Sequence, residues 1–256
     1  MEETKDGRLR RGLQAVAAEL ARMAGWTHFD ARQYSQARSY FTQALRLAKA
    51  IDDGPFIANV LACLSLQATY EDRPTDALAL VTAAQDSARG GGTPRVMAML
   101  SMREAFAHAT LRDQASTHAA IGEARRQFDR ISGDQGDPPW VAYFDETKLL
   151  VDTGIAHGQL GEASAAEPLI TEALDSESES NLRGRAFHLF WLATTQVHRG
   201  NLDQACSTAT EAVTLASSVD SQRVAEHLRD FRRGLLPYQS SPQVAAFEER
   251  LLHVLS

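Results

Sequence analysis

Cysteine is almost missing from this chain, and the two present, Cys63 and Cys206, sit far apart within helical patterns. They have no metal-ligand spacing, so buried free thiols are the expected state, as in a cytoplasmic protein. Proline is scarce, 8 residues in all, and is expected between the apolar-periodic stretches rather than inside them. Long hydrophobic runs are missing too. Met1–Gly7 is polar and no apolar run of membrane-spanning length follows, which excludes a signal peptide and a membrane anchor as expectations. Basic charge is in deficit, with a formal net charge of −7. A surface that grips nucleic acid is basic, so no direct nucleic-acid binding is expected. The local clusters Arg8, Arg10, Arg11 and Arg229, Arg232, Arg233 read as solvated helix faces.

Catalytic signatures are also missing. There is no His-Glu-x-x-His, His-x-His or Cys pair for a metal, and no Gly-x-Ser-x-Gly for a nucleophile. Gly90-Gly91-Gly92 lacks the Gly-Lys-Ser/Thr that completes a phosphate loop and reads as a linker. No enzyme activity, cofactor or metal is expected.

What the chain does have is alanine, 44% hydrophobic residues, and an internal repeat. Three positions spaced four and then three apart recur as Ala37/Phe41/Ala44, Ala77/Val81/Ala84, Thr117/Ile121/Ala124, Ala166/Ile170/Ala173 and Ala205/Ala209/Ala212. The intervals are 40, 40, 49 and 39 residues, and the long one contains the loop-forming run Ser132–Pro139. Spacing of i, i+4, i+7 puts each triplet on one helix face, small residues allowing close approach and the middle one filling the gap. Turn chemistry at 30–34, 71–74, 160–162 and 199–203 divides each unit into two helices, and 52–55, 90–94 and 175–181 separate the units. Thr93-Pro94 is an N-cap with a first-turn proline. The expected architecture is all-α: a polar segment 1–14, five helix pairs over 15–217, and two capping helices over 218–256. The first cap carries Val224, Leu228, Phe231 and Leu235, and the second carries Val244, Phe247, Leu251 and Val254.

The small–large–small triplet resembles the second helix of the tetratricopeptide repeat. So does a Gly twelve residues before its first position, present as Gly25 and Gly154 and replaced by Ser65, Ala105 and Ala193 elsewhere. The likeness implies a right-handed helical solenoid whose first helices line a concave groove. It departs from that pattern in lacking the usual Trp and in its longer period. His28, His108 and His157 share one phase, nine residues before the triplet, where the family holds a packing Tyr, so one structural role is expected for all three. Segments 24–30, 40–48, 138–146 and 227–233 further resemble the sensor regions of bacterial helix-turn-helix transcriptional regulators, whose DNA-binding domain precedes the repeats. The residues before the first helix are too few for one here, so the chain is either a stand-alone relative or the repeat part of something longer.

That resemblance places Trp26, Phe29, Asn59, Tyr70, Met99, Met102, Arg103, Phe106, Phe187, Phe190 and His198 on the groove, with Trp140 and Tyr143 at its edge. An aromatic and methionine-rich wall suits a peptide or protein partner, and a small-molecule effector is the alternative, with 132–139 as a lid. Chaperone-binding members grip a carboxylate with Lys and Asn. The matching positions here are Arg22, Trp26, Cys63, Met99 and Arg103, so that clamp is not expected. An enzyme on this scaffold would show first at His108 or His198 beside a Glu. A homo-oligomer would show as a large apolar patch, and the sequence leaves the oligomeric state open.

Overall fold

The computed structural model describes residues 5–133, 136–219 and 221–255. Its helices are α1 (Lys5–Asp30), α2 (Tyr34–Ala50), α3 (Gly54–Tyr70), α4 (Pro74–Ala88), α5 (Pro94–Thr110), α6 (Gln114–Phe128), α7 (Glu146–Leu160), α8 (Ala163–Ser176), α9 (Leu182–His198), α10 (Leu202–Ala216), α11 (Gln222–Gly234) and α12 (Pro242–Leu255). Short 3-10 turns occur at Pro139–Val141 and Leu236–Tyr238, and there is no strand among the described residues. None of these helices is long and apolar enough to cross a membrane. The chain forms two compact units, Met1–Phe144 and Asp145–Ser256.

Each unit is a row of antiparallel helix pairs: α1/α2, α3/α4 and α5/α6 in the first, α7/α8 and α9/α10 in the second. In the first unit α3 also packs against both α1 and α5, so the leading helices form an inner row; in the second α7 meets α9. The triplets lie on the trailing helices and are buried without remainder in four of five cases. The exception is Ile121, half-buried, with Ala120 taking the closer position.

The expected glycines explain why. A Cβ on Gly25 would lie 2.5 Å from the Phe41 ring, and one on Gly154 2.6 Å from Cγ1 of Ile170. The bulky middle residues therefore occupy the space a side chain would need. In the second pair Val81 is smaller and Ser65 stands at the glycine position, its hydroxyl donating to the Ala77 carbonyl at 2.9 Å. Volume on one helix is matched to volume on its partner, as close packing demands.

Every turn within a pair is built alike. Its left-handed residue is Arg32, Asp72, Arg112, Gly161 or Gly200, with φ of 60, 55, 60, 86 and 79°. The next residue's N–H returns to the carbonyl of His28, Ala68, His108, His157 or Gln196, the helix-ending bond of a Schellman motif. The three histidines thus share one structural position. His28 Nδ1 meets Gln33 Oε1 and His157 Nδ1 meets Glu162 Oε2, both at 2.5 Å, tying each leading helix to the N-cap of the next. Three of the five left-handed residues bear side chains, at a steric cost of about 1 kcal/mol each. Exposed Asp72→Gly is expected to raise stability by up to about 1 kcal/mol in urea unfolding.

Two features differ from expectation. The polar segment 1–14 is helical from Lys5 onward, because Gly7 and Gly12 only weaken a helix. Arg11 fastens these added turns by donating to the Ile51 carbonyl at 2.9 Å. Pro168 lies inside α8, where it and Ser164, the residue whose carbonyl loses a partner, are solvent-exposed. Asp134 and Gln135 of the long loop lie outside the described residues. The C-terminal end of that segment is fastened down: Val141 and Phe144, which follow it, are fully buried, and Arg95 donates to Asp137 at 2.6 Å and to the Phe144 carbonyl at 2.7 Å. In the second unit α11 packs on α9 and α12 on α10, with Val224, Phe231, Leu235, Val244, Phe247 and Leu251 buried. Leu228 is half-buried, and the Val254 side chain lies outside the described residues.

Glu71 joins two repeats. It accepts from Arg38 of α2 at 2.6 Å and from Arg73 at 2.7 Å. Partial burial would raise its pKa, but the two guanidiniums outweigh this and hold it below the ordinary glutamate value. A depressed folded-state value gives stability present above the unfolded pKa and lost as pH falls through the folded one. Glu71→Gln is expected to cost about 0.5–1 kcal/mol at pH 7, given solvent screening, and nothing in strong acid.

Candidate functional site

Among the described residues, nine of the ten buried polar or charged ones lie on leading helices: Asn59, Ser65, Gln67, Ser101, Arg103, Asp152, His188, Thr195 and Gln196, with only Thr117 on a trailing helix. Burying polar groups costs stability unless they are satisfied, so the row that tolerates them is where function is to be sought.

In the first unit two of them, Asn59 and Arg103, lie near Cys63. Asn59, one turn earlier on α3, accepts from its thiol across 3.9 Å. Trp26 and Arg22 of α1 and Arg103 of α5 stand near enough to the sulfur to favour its ionised form. Burial dominates all of these and pushes the Cys63 thiol up to about 11, so it is neutral and a poor nucleophile at physiological pH. The arginines therefore do not serve to activate it.

Arg103 is 5% exposed, donates to the Tyr143 hydroxyl at 3.3 Å, and lies over the Phe106 ring with 6.0 Å to its centroid. Arg22 donates to Glu19 at 2.5 and 2.9 Å. Its pKa is raised because that carboxylate outweighs burial, which acts the other way. Asn59 Nδ2 is buried with no hydrogen-bond partner among the described residues. An unmet buried donor costs about 1–3 kcal/mol, which an incoming acceptor would recover. Chemically the arrangement sets guanidinium and amide donors beside aromatic rings.

The residues expected on the groove divide by environment. Trp26, Asn59, Arg103, Phe106 and Tyr143 belong to this region. Trp26 meets Phe29 and Phe41 edge-on, and Phe29, 2% exposed, packs against Tyr70 at 5.2 Å. Phe29 is thus core, as are Met99 and Met102, 1% and 0% exposed. Trp140 is half-buried in the fastened segment. In the second unit Phe190 lies under α11, 6.4 Å from Phe231, and Phe187 packs on His227 at 4.7 Å, so the cap occupies their outer faces. His198 is exposed at the end of α9.

His108 stands 4.0 Å from Glu104 and 3.9 Å from Asp113, beyond hydrogen-bond reach. Beside the turn pair His157–Glu162, a buried pair is formed by His188 with Glu177, at 2.9 Å and with both side chains under a tenth exposed. It closes the 175–181 turn onto α9, where Arg185 also caps the Leu174 carbonyl. Spacing could not foretell it, because the two lie eleven residues apart across a turn. Comparisons with protein-family models and with curated proteins give no match to this chain.

Proposed function

We propose that this chain is a tetratricopeptide-like binding module that recognises a peptide or protein segment along the inner row α1, α3 and α5. In this reading an acidic group of the ligand lies between Arg22 and Arg103 and accepts from Asn59, while Trp26, Phe106 and Tyr143 take apolar side chains. The buried Asn59 side-chain nitrogen, without a hydrogen-bond partner among the described residues and beside two guanidiniums, is the observation that carries it. The neutral Cys63 supports binding over nucleophilic catalysis. Likeness to sensor regions of bacterial regulators supports a regulatory or adaptor role in the cytoplasm, with ligand occupancy biasing how the helix pairs pack. A small acidic effector is the second reading. The fastened segment favours it by carrying Tyr143 onto Arg103.

An array of short peptides, each with a free C-terminal acid and as its amide, separates these readings. Acid-selective peptide binding, weakened about tenfold or more by Arg103→Met or Arg22→Met, is expected, in line with loss of a charge-assisted hydrogen bond. Binders indifferent to both variants and to the terminal charge would refute the site. Acid selectivity seen only for small carboxylates would favour the effector.

A further inference from the structure

The first helix carries an apolar stripe that the fold leaves uncovered. Leu9, Leu13, Val16, Leu20 and Met23 are 65, 63, 59, 61 and 53% exposed. Their spacing of four, three, four and three is the a/d alternation of a heptad seam. The opposite face of α1, with Ala18, Ala21 and Phe29, is buried against the rest of the unit, and Arg11 holds the N-terminal turns to Ile51. The stripe is therefore a ridge on a helix held against the unit by its other face. Beside it runs an open groove of about 330 Å³ between Leu9, Leu13 and Ala17 of α1 and Leu47 of α2. Of the other exposed large hydrophobics, Tyr40, Leu111, Tyr143 and Leu252 lie apart from one another, and Leu236 and Tyr238 share one short turn.

We propose that this ridge is a homodimer interface, α1 of one copy lying antiparallel against α1 of a second about a twofold axis. Three observations choose a second copy. A regular a/d seam is self-complementary, and a twofold lets the same strip serve both sides. With Leu13 facing the partner's Met23 and Val16 facing the partner's Leu20, four cross-pairs fill the seam. The helix is also polarised: residues 5–14 hold Lys5, Arg8, Arg10 and Arg11 against Asp6, whereas residues 15–30 hold Glu19 and Asp30 against Arg22. Antiparallel packing sets the basic half of each helix beside the acidic half of the other, and its N-terminal arginines near the negative end of the partner's helix. The area also fits. From Leu9 to Met23 is about 21 Å of helix, and half the helix surface over that length with the adjoining groove is roughly 500 Å² per copy. A pair buries about 1,000 Å², the threshold of a specific but reversible interface.

Analytical ultracentrifugation of the full chain across about 1–200 µM tests this, a range suited to an interface of that size. The 28.0 kDa chain is expected to approach twice that mass as concentration rises. Leu13→Glu/Leu20→Glu, both changes at exposed positions, is expected to remain helical by circular dichroism and monomeric throughout. Wild-type protein that stays monomeric, or a double variant that still dimerises, would overturn the proposal. Leu13→Cys/Met23→Cys is expected to cross-link position 13 to position 23 of the other chain under oxidation. A 13-to-13 bond would overturn the antiparallel arrangement.

Discussion

Phe41→Ala is expected to destabilise the first unit by about 3–5 kcal/mol, read as a lower urea midpoint at unchanged slope. The ring is fully buried, lies over Gly25 and meets Trp26 edge-on at a centroid distance of 6.2 Å. Its neighbours on α2, Ala37 and Ala44, are too small to collapse into the void, so most of the cavity persists. The partner substitution should change sign with context. Gly25→Ala alone forces a Cβ to within 2.5 Å of the ring and costs stability, whereas in the Phe41→Ala background it fills space and recovers part of the loss. Additive effects in that double-mutant cycle would mean that the two positions do not pack as described.

The second large effect is Gly154→Ala, expected to cost about 1–3 kcal/mol through overpacking. Alanine is the better helix former by about 1 kcal/mol, so intrinsic propensity argues for stabilisation. Packing wins because the new Cβ would meet both Ile170 Cγ1 at 2.6 Å and the Ala166 carbonyl at 3.1 Å, and the backbone atom cannot rotate away. Ile170→Ala removes one of the two obstacles. The double variant should therefore be more stable than the sum of the single losses by about 1 kcal/mol or more. The chain holds a natural version of that pairing, with Ala193 and Ala209 at the corresponding positions of α9 and α10, both fully buried.

Much of this architecture is written in local pattern. The triplets, the two glycines and the turn residues all act within one helix pair, so spacing alone reveals them. Thr93 caps α5 through Val96 N–H as its place before Pro94 implies. The start of α1 was not legible, because the polar run to Gly12 conceals a helix whose apolar residues face away from the fold. The site was legible only in part. Aromatic residues at inner-row phases were visible, but period cannot tell a groove-facing ring from one under a cap, so Phe190 and Phe187 read the same as Trp26. The convergence of Arg22 and Arg103 on Cys63 spans three helices, and Asn59's unmet donor depends on what its neighbours fail to offer. Neither is a property of sequence spacing.

The inner-row site is tested most directly by following the Asn59 side-chain amide and the Trp26 indole in an NMR titration of the whole chain. The probes are a short peptide with a free terminal acid and its amidated twin. The acid is expected to move both signals in a saturable way, the amide to move them far less, and Arg103→Met to abolish the difference. Saturable shifts confined to the trailing helices or to α11, with Asn59 and Trp26 unmoved, would contradict the account.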